Sequence, residues 1–312
     1  MLKIGLALGG GASKGLSHIG VLKALEEEHL EVGCIAGTSM GAIIGALYAF
    51  YYDVKEIEKI ARQFTNTDTF KNLGISVFKR EEESRIQKIV NMIREKIIFA
   101  EGLFKSHIVN EEEVRKTLNQ IIPDIDIKET RVPFCTVSLD LITGFDVVKM
   151  KGSLRKAVIS SMAIPGFFPY AEEEELLLVD GGSTSSVPVY AVKTMKPDVT
   201  IAVSLRGRLE SHKKPNTGLE IHLRIDEIVT TRLIEKQVEE ADVVIRPKVE
   251  DVHWADFTRL DYCIEKGYEA TKEKMEEIKK EIEKKSSMLY NIKRFFRKQK
   301  KQDEEFFQKV IE

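Results

Sequence analysis

Two short apolar runs in this chain end in glycines and pass straight into helical patterns. "KIGLAL" (Lys3 to Leu8) meets Gly9, Gly10 and Gly11, and the segment after it spaces Leu16, Ile19, Leu22 and Leu25 along one helix face. "EVGCIAG" then enters Gly37-Thr38-Ser39-Met40-Gly41 and the apolar helix "AIIGALYAFYY". A strand that turns on glycine into a helix, twice in succession, is the βα unit of a parallel sheet. Further strand patterns follow at "VPFCTVSLD", "GFDVVKM", "ELLLVDGG", "DVTIAVSL" and "DVVIRP". Helical patterns at "LRKAVISSMAIPG" and over 217–241 separate some of them, so the fold class is α/β.

Residues 53–123 interrupt the strands with a mostly helical block. Asp53 is placed to cap "VKEIEKIARQF", Ile86, Ile89, Val90, Ile93 and Ile97 form one apolar face, and Asn110 with Glu113 has capping-box spacing. This block reads as a helical cap inserted into a domain spanning 1–270. Residues 271–312 read as a charged helical tail. Within it, "LYNIKRFFRKQKK" (289–301) sets aliphatic and aromatic residues among Lys and Arg, a pattern suited to peripheral membrane contact or to a solvated or dimer-packing helix.

Charge and cysteine content narrow the function classes. The 48 basic and 50 acidic residues leave a net charge of −2, which gives no reason to expect nucleic-acid binding. Cys34, Cys135 and Cys263 are far apart and match neither a metal knuckle nor a disulfide framework, so no metal or other cofactor is expected. With no signal-peptide pattern and no 18-residue apolar run, the expected location is the cytoplasm, with peripheral contact at the inner membrane face through 289–301. No oligomeric state follows from the sequence.

The first glycine turn, "GGGASKG", invites a nucleotide reading that its spacing refuses. Lys14 stands where a dinucleotide fingerprint starting at Gly9 needs its third glycine, and the frame starting at Gly10 fails at Ala12. A P-loop fails because Leu16 and Ser17 follow Gly15. What remains is a set of backbone N–H groups at a helix start, suited either to an oxyanion or simply to tight packing.

The second turn, Gly37-x-Ser39-x-Gly41 between a strand and a helix, has the form of a nucleophile elbow. A helix N-cap is the plainer role for Ser39. A serine nucleophile needs a base, and His18, His29, His107, His212, His222 and His253 are all poorly placed for an elbow's histidine. Asp180, where the apolar "LLLV" meets Gly181 and Gly182, stands at a strand end, although an Asp-Gly pair also makes an ordinary turn.

Taken in order, "GGGASKG", "GTSMG", "VSLDLITG", "AVISSMAIPGFFPY" and "VDGG" resemble the patatin-like phospholipases of the single-domain bacterial type, with weaker similarity through "EEADVVIRP" and "WADF…GYEA" to about Ala270. The resemblance implies a three-layer α/β/α fold with a mainly parallel central sheet and a Ser39–Asp180 dyad without histidine. It also implies an oxyanion or substrate-binding loop of Gly9, Gly10, Gly11, Lys14 and Gly15, with Gly37, Gly41, Pro165, Gly181 and Gly182 in support. The implied activity is lipid acyl ester hydrolysis of phospholipase A or lysophospholipase type. A general carboxylesterase or acyl-thioesterase, or a non-catalytic membrane- or partner-binding protein on the same fold, are the competing readings. This chain departs from the family pattern at Ala12, where a glycine is frequent, at Lys14, where arginine is, and in "GGSTSSVP" after the aspartate.

Overall fold

The computed structural model describes residues 2–67, 70, 107–207, 209 and 214–287, together with the backbone of 308–311. Its sheet comprises β1 (Ile4–Leu8), β2 (Val32–Gly37), β3 (Phe134–Asp140), β4 (Asp146–Lys149), β5 (Ala171–Glu173), β6 (Leu176–Asp180), β7 (Val199–Val203) and β8 (Val243–Ile245). The ladder runs β5-β6-β3-β2-β1-β7-β8, with β4 also on β3. From β3 to β8 every pairing along this path is parallel, while β4 and β6 lie antiparallel to β3, and β5 to β6. The backbone of β9 (Gln308–Ile311) runs parallel to β4.

Every residue of β1 and β7 is buried, as expected for strands covered on both faces. Side chains alternate across the sheet. Leu6, Leu8 and Ile35 enter a large core on one face, whereas Ala7, Cys34 and Ala36 enter a smaller one on the other. The large core is shared with α1 (Ser17–Glu27), α2 (Met40–Tyr51), α3 (Val54–Phe64), α4 (Glu111–Asn119) and α5 (Leu154–Ser161). The smaller one takes α6 (Val189–Thr194) and the end of α7 (Gly218–Val238). This is the three-layer α/β/α arrangement expected. The small side chains on the second face let α6 lie close to the sheet.

Two sequence expectations change. Residues 271–286 are helical, as expected, but they pack on the domain: beyond α8 (Leu260–Glu273), whose Cys263 and Ala270 are in the large core, α9 (Met275–Ser286) buries Met275 and Ile278 there, and Lys285 pairs with Asp242. The alternating charges mask an apolar series at Met275, Ile278 and Ile282, three to four residues apart. The hairpin strand β5 was not expected, because "AEE" carries no strand pattern. Of the inserted block, α3 and α4 build Ile57, Val114 and Leu118 into the core, with Asp53 capping α3 through Lys55 N (2.9 Å) and Asn110 capping α4 through Glu112 N (2.8 Å). The apolar face at 86–97, the rest of 71–106 and the basic stretch 289–301 lie outside the described residues.

Helices α1 and α8 touch backbone to backbone. A Cβ placed on Gly20 would come within 1.9 Å of Ile264 O, and one on Gly267 within 1.9 Å of Ser17 O, so only glycine admits this crossing. The contact brings the loop before α8 to the first glycine turn, where Ser13 donates from N to Trp254 O (3.0 Å) and from Oγ to His253 O (2.8 Å).

Candidate active site

The sheet registers place the two turns of interest opposite each other. Thr136 pairs with Gly37 of β2 and with Lys149 of β4, and Ser138 pairs with Asp180 of β6 and with Val147 of β4. A strand has two edges, and β4 occupies one of them. Therefore β2 and β6 share the other edge of β3 and run into each other head to head, with their C-terminal ends two β3 residues apart.

At the end of β2 the chain folds back on itself. A Cβ on Gly37 would lie 2.4 Å from Gly41 O, and one on Gly41 would lie 2.1 Å from Leu8 O. The turn between them leaves Ser39 at φ 55°, ψ −123°, a conformation that costs a non-glycine residue of order 1–3 kcal/mol. The surroundings enforce it. Ser39 N donates to Ser161 O and Oγ (both 3.2 Å), Thr38 N donates to Leu8 O (3.1 Å) and Thr38 Oγ1 to Ser185 O (2.9 Å).

Asp180 is fixed by its own N–H on Ala163 O (2.9 Å) and by Gly182 N on Oδ1 (2.7 Å). Pro165 and Gly166, at φ 75°, form the turn that follows Ala163, closed by Phe167 N on Ile164 O (3.0 Å). The Ser39 hydroxyl hydrogen-bonds the Asp180 carboxylate, and both residues are only 6% exposed. Burial pushes the Asp180 carboxyl up to about 6, against the opposing pull of the Ser39 and Gly182 hydrogen bonds. The structure thus joins the two sequence candidates in one hydrogen-bonded pair.

In the glycine loop the expected donors need correction. Gly9 N is donated to Val203 O (3.1 Å) and Gly10 N to Ser186 O (2.9 Å), so neither N–H is left for an oxyanion. The N–H groups of Gly11, Ala12 and Met40 have no acceptor among the described residues, and Ala12 and Met40 line the same pocket as Ser39. Gly10 serves by its smallness: a Cβ there would stand 3.2 Å from Ser39 Cβ. Gly15 likewise abuts Met40, where a Cβ would reach 2.3 Å from Cγ. Ala12 adopts φ 48°, which explains why glycine suits that position. Lys14 Nζ ends on Glu250 O (3.4 Å), away from the residues lining the pocket.

Two supports had no sequence signal. His18 is fully buried, and its Nε2 lies 2.8 Å from Gly9 O. Burial drives the ring down to about 4, so it is neutral and Nε2 carries the proton donated to Gly9. The second support is the segment Thr184–Val187. Its carbonyls receive Thr38 Oγ1 and Gly10 N, tying the elbow to the glycine loop. From behind, Asp146 Oδ1 accepts the Thr184 hydroxyl (2.5 Å), while Gln237 donates to Thr184 O (2.5 Å) and accepts from Val187 N (3.3 Å). A run of serines and threonines in sequence suggests only a polar rim; the work here is done by its backbone.

A family model described as patatin-like phospholipase matches residues 6–193. The chain belongs to the patatin-like phospholipase family. Among relatives of this patatin-like chain, an uncharacterized NTE family protein of Mycobacterium tuberculosis is 30% identical over 205 residues, 66% of this chain and 49% of that protein. Patatin-like phospholipase domain-containing protein 6 of Homo sapiens is 28% identical over 210 residues, 67% of this chain and 14% of that protein. Lysophospholipase NTE1 of Saccharomyces cerevisiae is 25% identical over 283 residues, 83% and 16%. This chain therefore spans about half the length, or less, of these curated relatives. VipD from Legionella pneumophila aligns in structure with a TM-score of 0.47 at 15% identity, covering 87% of this chain and 66% of that one.

The patatin-like match holds the glycine loop, the elbow, Asp180 and the 184–187 segment, but not the whole pocket. Beside Ser39, Ile43, Phe64, Phe70, Leu118, Ile164 and Phe167 form walls that Trp254 and Phe257 complete from beyond residue 193. Phe70 contacts Phe64 and Phe257 with ring centroids 5.3 and 4.8 Å apart, and Trp254 meets Phe167 at 5.9 Å. Among the described residues, Thr117 is the one hydroxyl in this lining apart from Ser39. Such a wall accepts hydrocarbon and offers little to a polar group.

Proposed function

We propose that this protein is a serine lipid acyl hydrolase that cleaves fatty acyl esters of phospholipids or lysophospholipids through the Ser39–Asp180 dyad. The observation that carries this reading is a serine in a strained elbow, hydrogen-bonded to a buried carboxylate held near 6, at the wall of an apolar pocket.

Each step follows from that arrangement. Asp180 accepts the Ser39 proton as Oγ attacks the ester carbonyl carbon. The oxyanion formed takes N–H bonds from Gly11, Ala12 and Met40, the last at the positive end of α2. As the tetrahedral adduct collapses, Asp180 returns its proton to the departing alcohol oxygen and an acyl-Ser39 ester remains. A water then gives its proton to Asp180 and attacks the acyl carbon, and fatty acid leaves as Ser39 regains the proton. A carboxyl near 6 is a stronger base than an ordinary aspartate yet remains ionised at neutral pH, which suits a direct partner of serine. The acyl chain lies along the Phe64, Phe70, Leu118 and Phe257 walls.

The test compares wild type with Ser39→Ala and Asp180→Asn for fatty-acid release from phospholipid and lysophospholipid micelles. The reading requires at least a 10³-fold loss in each folded variant. Wild-type protein inert toward lipids but active on thioesters or short esters would favour the general esterase instead.

A further inference from the structure

Two apolar projections stand on the edge of the sheet that carries Ser39. The first is the turn between β3 and β4. Since β3 runs parallel to β2, this turn rises from the same edge as the elbow. It exposes Leu141, Ile142 (68%) and Phe145 while it buries Asp140. The Asp140 carboxylate accepts from Ile142 N (3.2 Å), Thr143 N (3.1 Å), Thr143 Oγ1 (2.6 Å) and Leu177 N (2.9 Å). A turn that spends its charge inward and holds hydrocarbon outward is braced for a partner.

The second projection is the first half of α7. The helix follows β7 and precedes β8, which are parallel, so it carries the chain back from the Ser39 edge. Near its end, Gln237 is already level with Thr184 and Val187, the segment bonded to Gly10 and Thr38. The preceding turns therefore stand beyond the sheet edge. No residue from Gly218 to Thr230 is buried, a length of about 20 Å at 1.5 Å per residue. Leu219, Ile221, Leu223, Ile225 and Val229 are all exposed, Val229 at 58%.

We propose that α7 and the β3–β4 turn together form the surface by which the protein inserts into a lipid bilayer, with headgroups of no net charge preferred. This rests on the lipid hydrolase reading for its motive. A second copy of the chain fits the geometry less well. At 100° per residue, Leu219 and Leu223 lie about 200° round the helix from Ile221 and Ile225, so one helix–helix contact covers one side only. It would also leave the β3–β4 turn bare. A bilayer meets both projections at once, on the edge where the acyl ester must reach Ser39, with Glu220, Arg224, Asp226 and Glu227 of α7 left at headgroup level. Charge decides the headgroup. The hairpin of β5 and β6 reaches the same edge past Leu178, the partner of Asp140, and carries Glu172, Glu174 and Glu175. These carboxylates repel anionic lipid.

The experiment is co-sedimentation of the full chain with phosphatidylcholine vesicles, and with vesicles containing phosphatidylglycerol, at low and high salt. Ile142→Ser and the pair Ile225→Glu/Val229→Glu are compared, with hydrolysis of a water-soluble short-chain ester as the internal control. Wild type should bind phosphatidylcholine with little salt dependence, and each variant should lose tenfold or more of vesicle binding while it keeps short-ester hydrolysis and melting temperature. Variants that bind as wild type does, or binding confined to anionic vesicles at low salt as the basic 289–301 stretch would give, overturn the proposal. So does a wild-type dimer in sedimentation equilibrium that Ile225→Glu/Val229→Glu dissociates. Wild type inactive on every ester but bound to phosphatidylcholine through these residues would remove the hydrolase reading and leave the bilayer surface standing.

Discussion

The Ser39 hydroxyl donates to the carboxylate of Asp180, which burial holds near 6. In the proposed mechanism this group accepts the serine proton, and it does so only when ionised. The rate should therefore rise with pH through an apparent pKa of about 6 and level off above it. Initial rates on a soluble ester from pH 4.5 to 8.5 measure this limb, and a midpoint near 4 would remove Asp180 as the desolvated base.

A carboxyl raised from 3.8 to about 6 also weakens the fold. The folded state holds the proton more tightly than the unfolded one, so this cost is full above pH 6, shrinks as pH falls and is gone below 3.8. At pH 8 it amounts to about 3 kcal/mol from two pKa units at 1.36 kcal/mol each. Asp180→Asn should abolish hydrolysis while it raises the melting temperature at pH 8 by a few degrees, a gain that vanishes by pH 4 in calorimetry.

His18 acts with the opposite sign. Its ring, at about 4 when folded and 6.5 when free, binds a proton more readily in the unfolded state, so stability is intact above pH 6.5 and falls as pH drops toward 4. His18→Gln keeps a side-chain N–H for Gly9 O but cannot titrate. Its melting temperature should decline less than that of wild type between pH 6.5 and 4.5.

Gln237 is not among the residues lining the pocket, yet it holds Thr184 and Val187. Gln237→Leu removes both bonds and should lower kcat about tenfold with little change in KM, corresponding to the 1–2 kcal/mol of misplaced elbow and glycine loop. A rise in KM with kcat intact would mean that the segment shapes the pocket rather than the dyad.

Much of this was legible in the chain. Glycines flanking Ser39, and a strand running into Asp180, announce tight turns at strand ends, because each local pattern admits few conformations. What stayed hidden depends on long-range pairing. Nothing near Gly10 says that its N–H will be claimed by Ser186, and nothing near His18 marks it as the donor to Gly9. The role of α9 was obscured because its buried Met275 and Ile278 sit among charges that dominate a local reading. The close crossing of Gly20 and Gly267 joins positions almost 250 residues apart, beyond the reach of any periodicity.

The division of labour between walls and dyad sets how the site can diversify. Ser39, Asp180 and their braces belong to strand ends tied to one another, whereas Phe64, Phe70, Leu118 and Phe257 come from the insertion after β2 and from the approach to α8. Substitutions among the latter can lengthen, shorten or bend the apolar pocket without touching a single hydrogen bond of the former. Under the proposed acyl hydrolase reading, new acyl preferences are thus reachable by single steps that leave the dyad unaltered, and a library confined to those four positions is where altered chain-length selectivity should be sought.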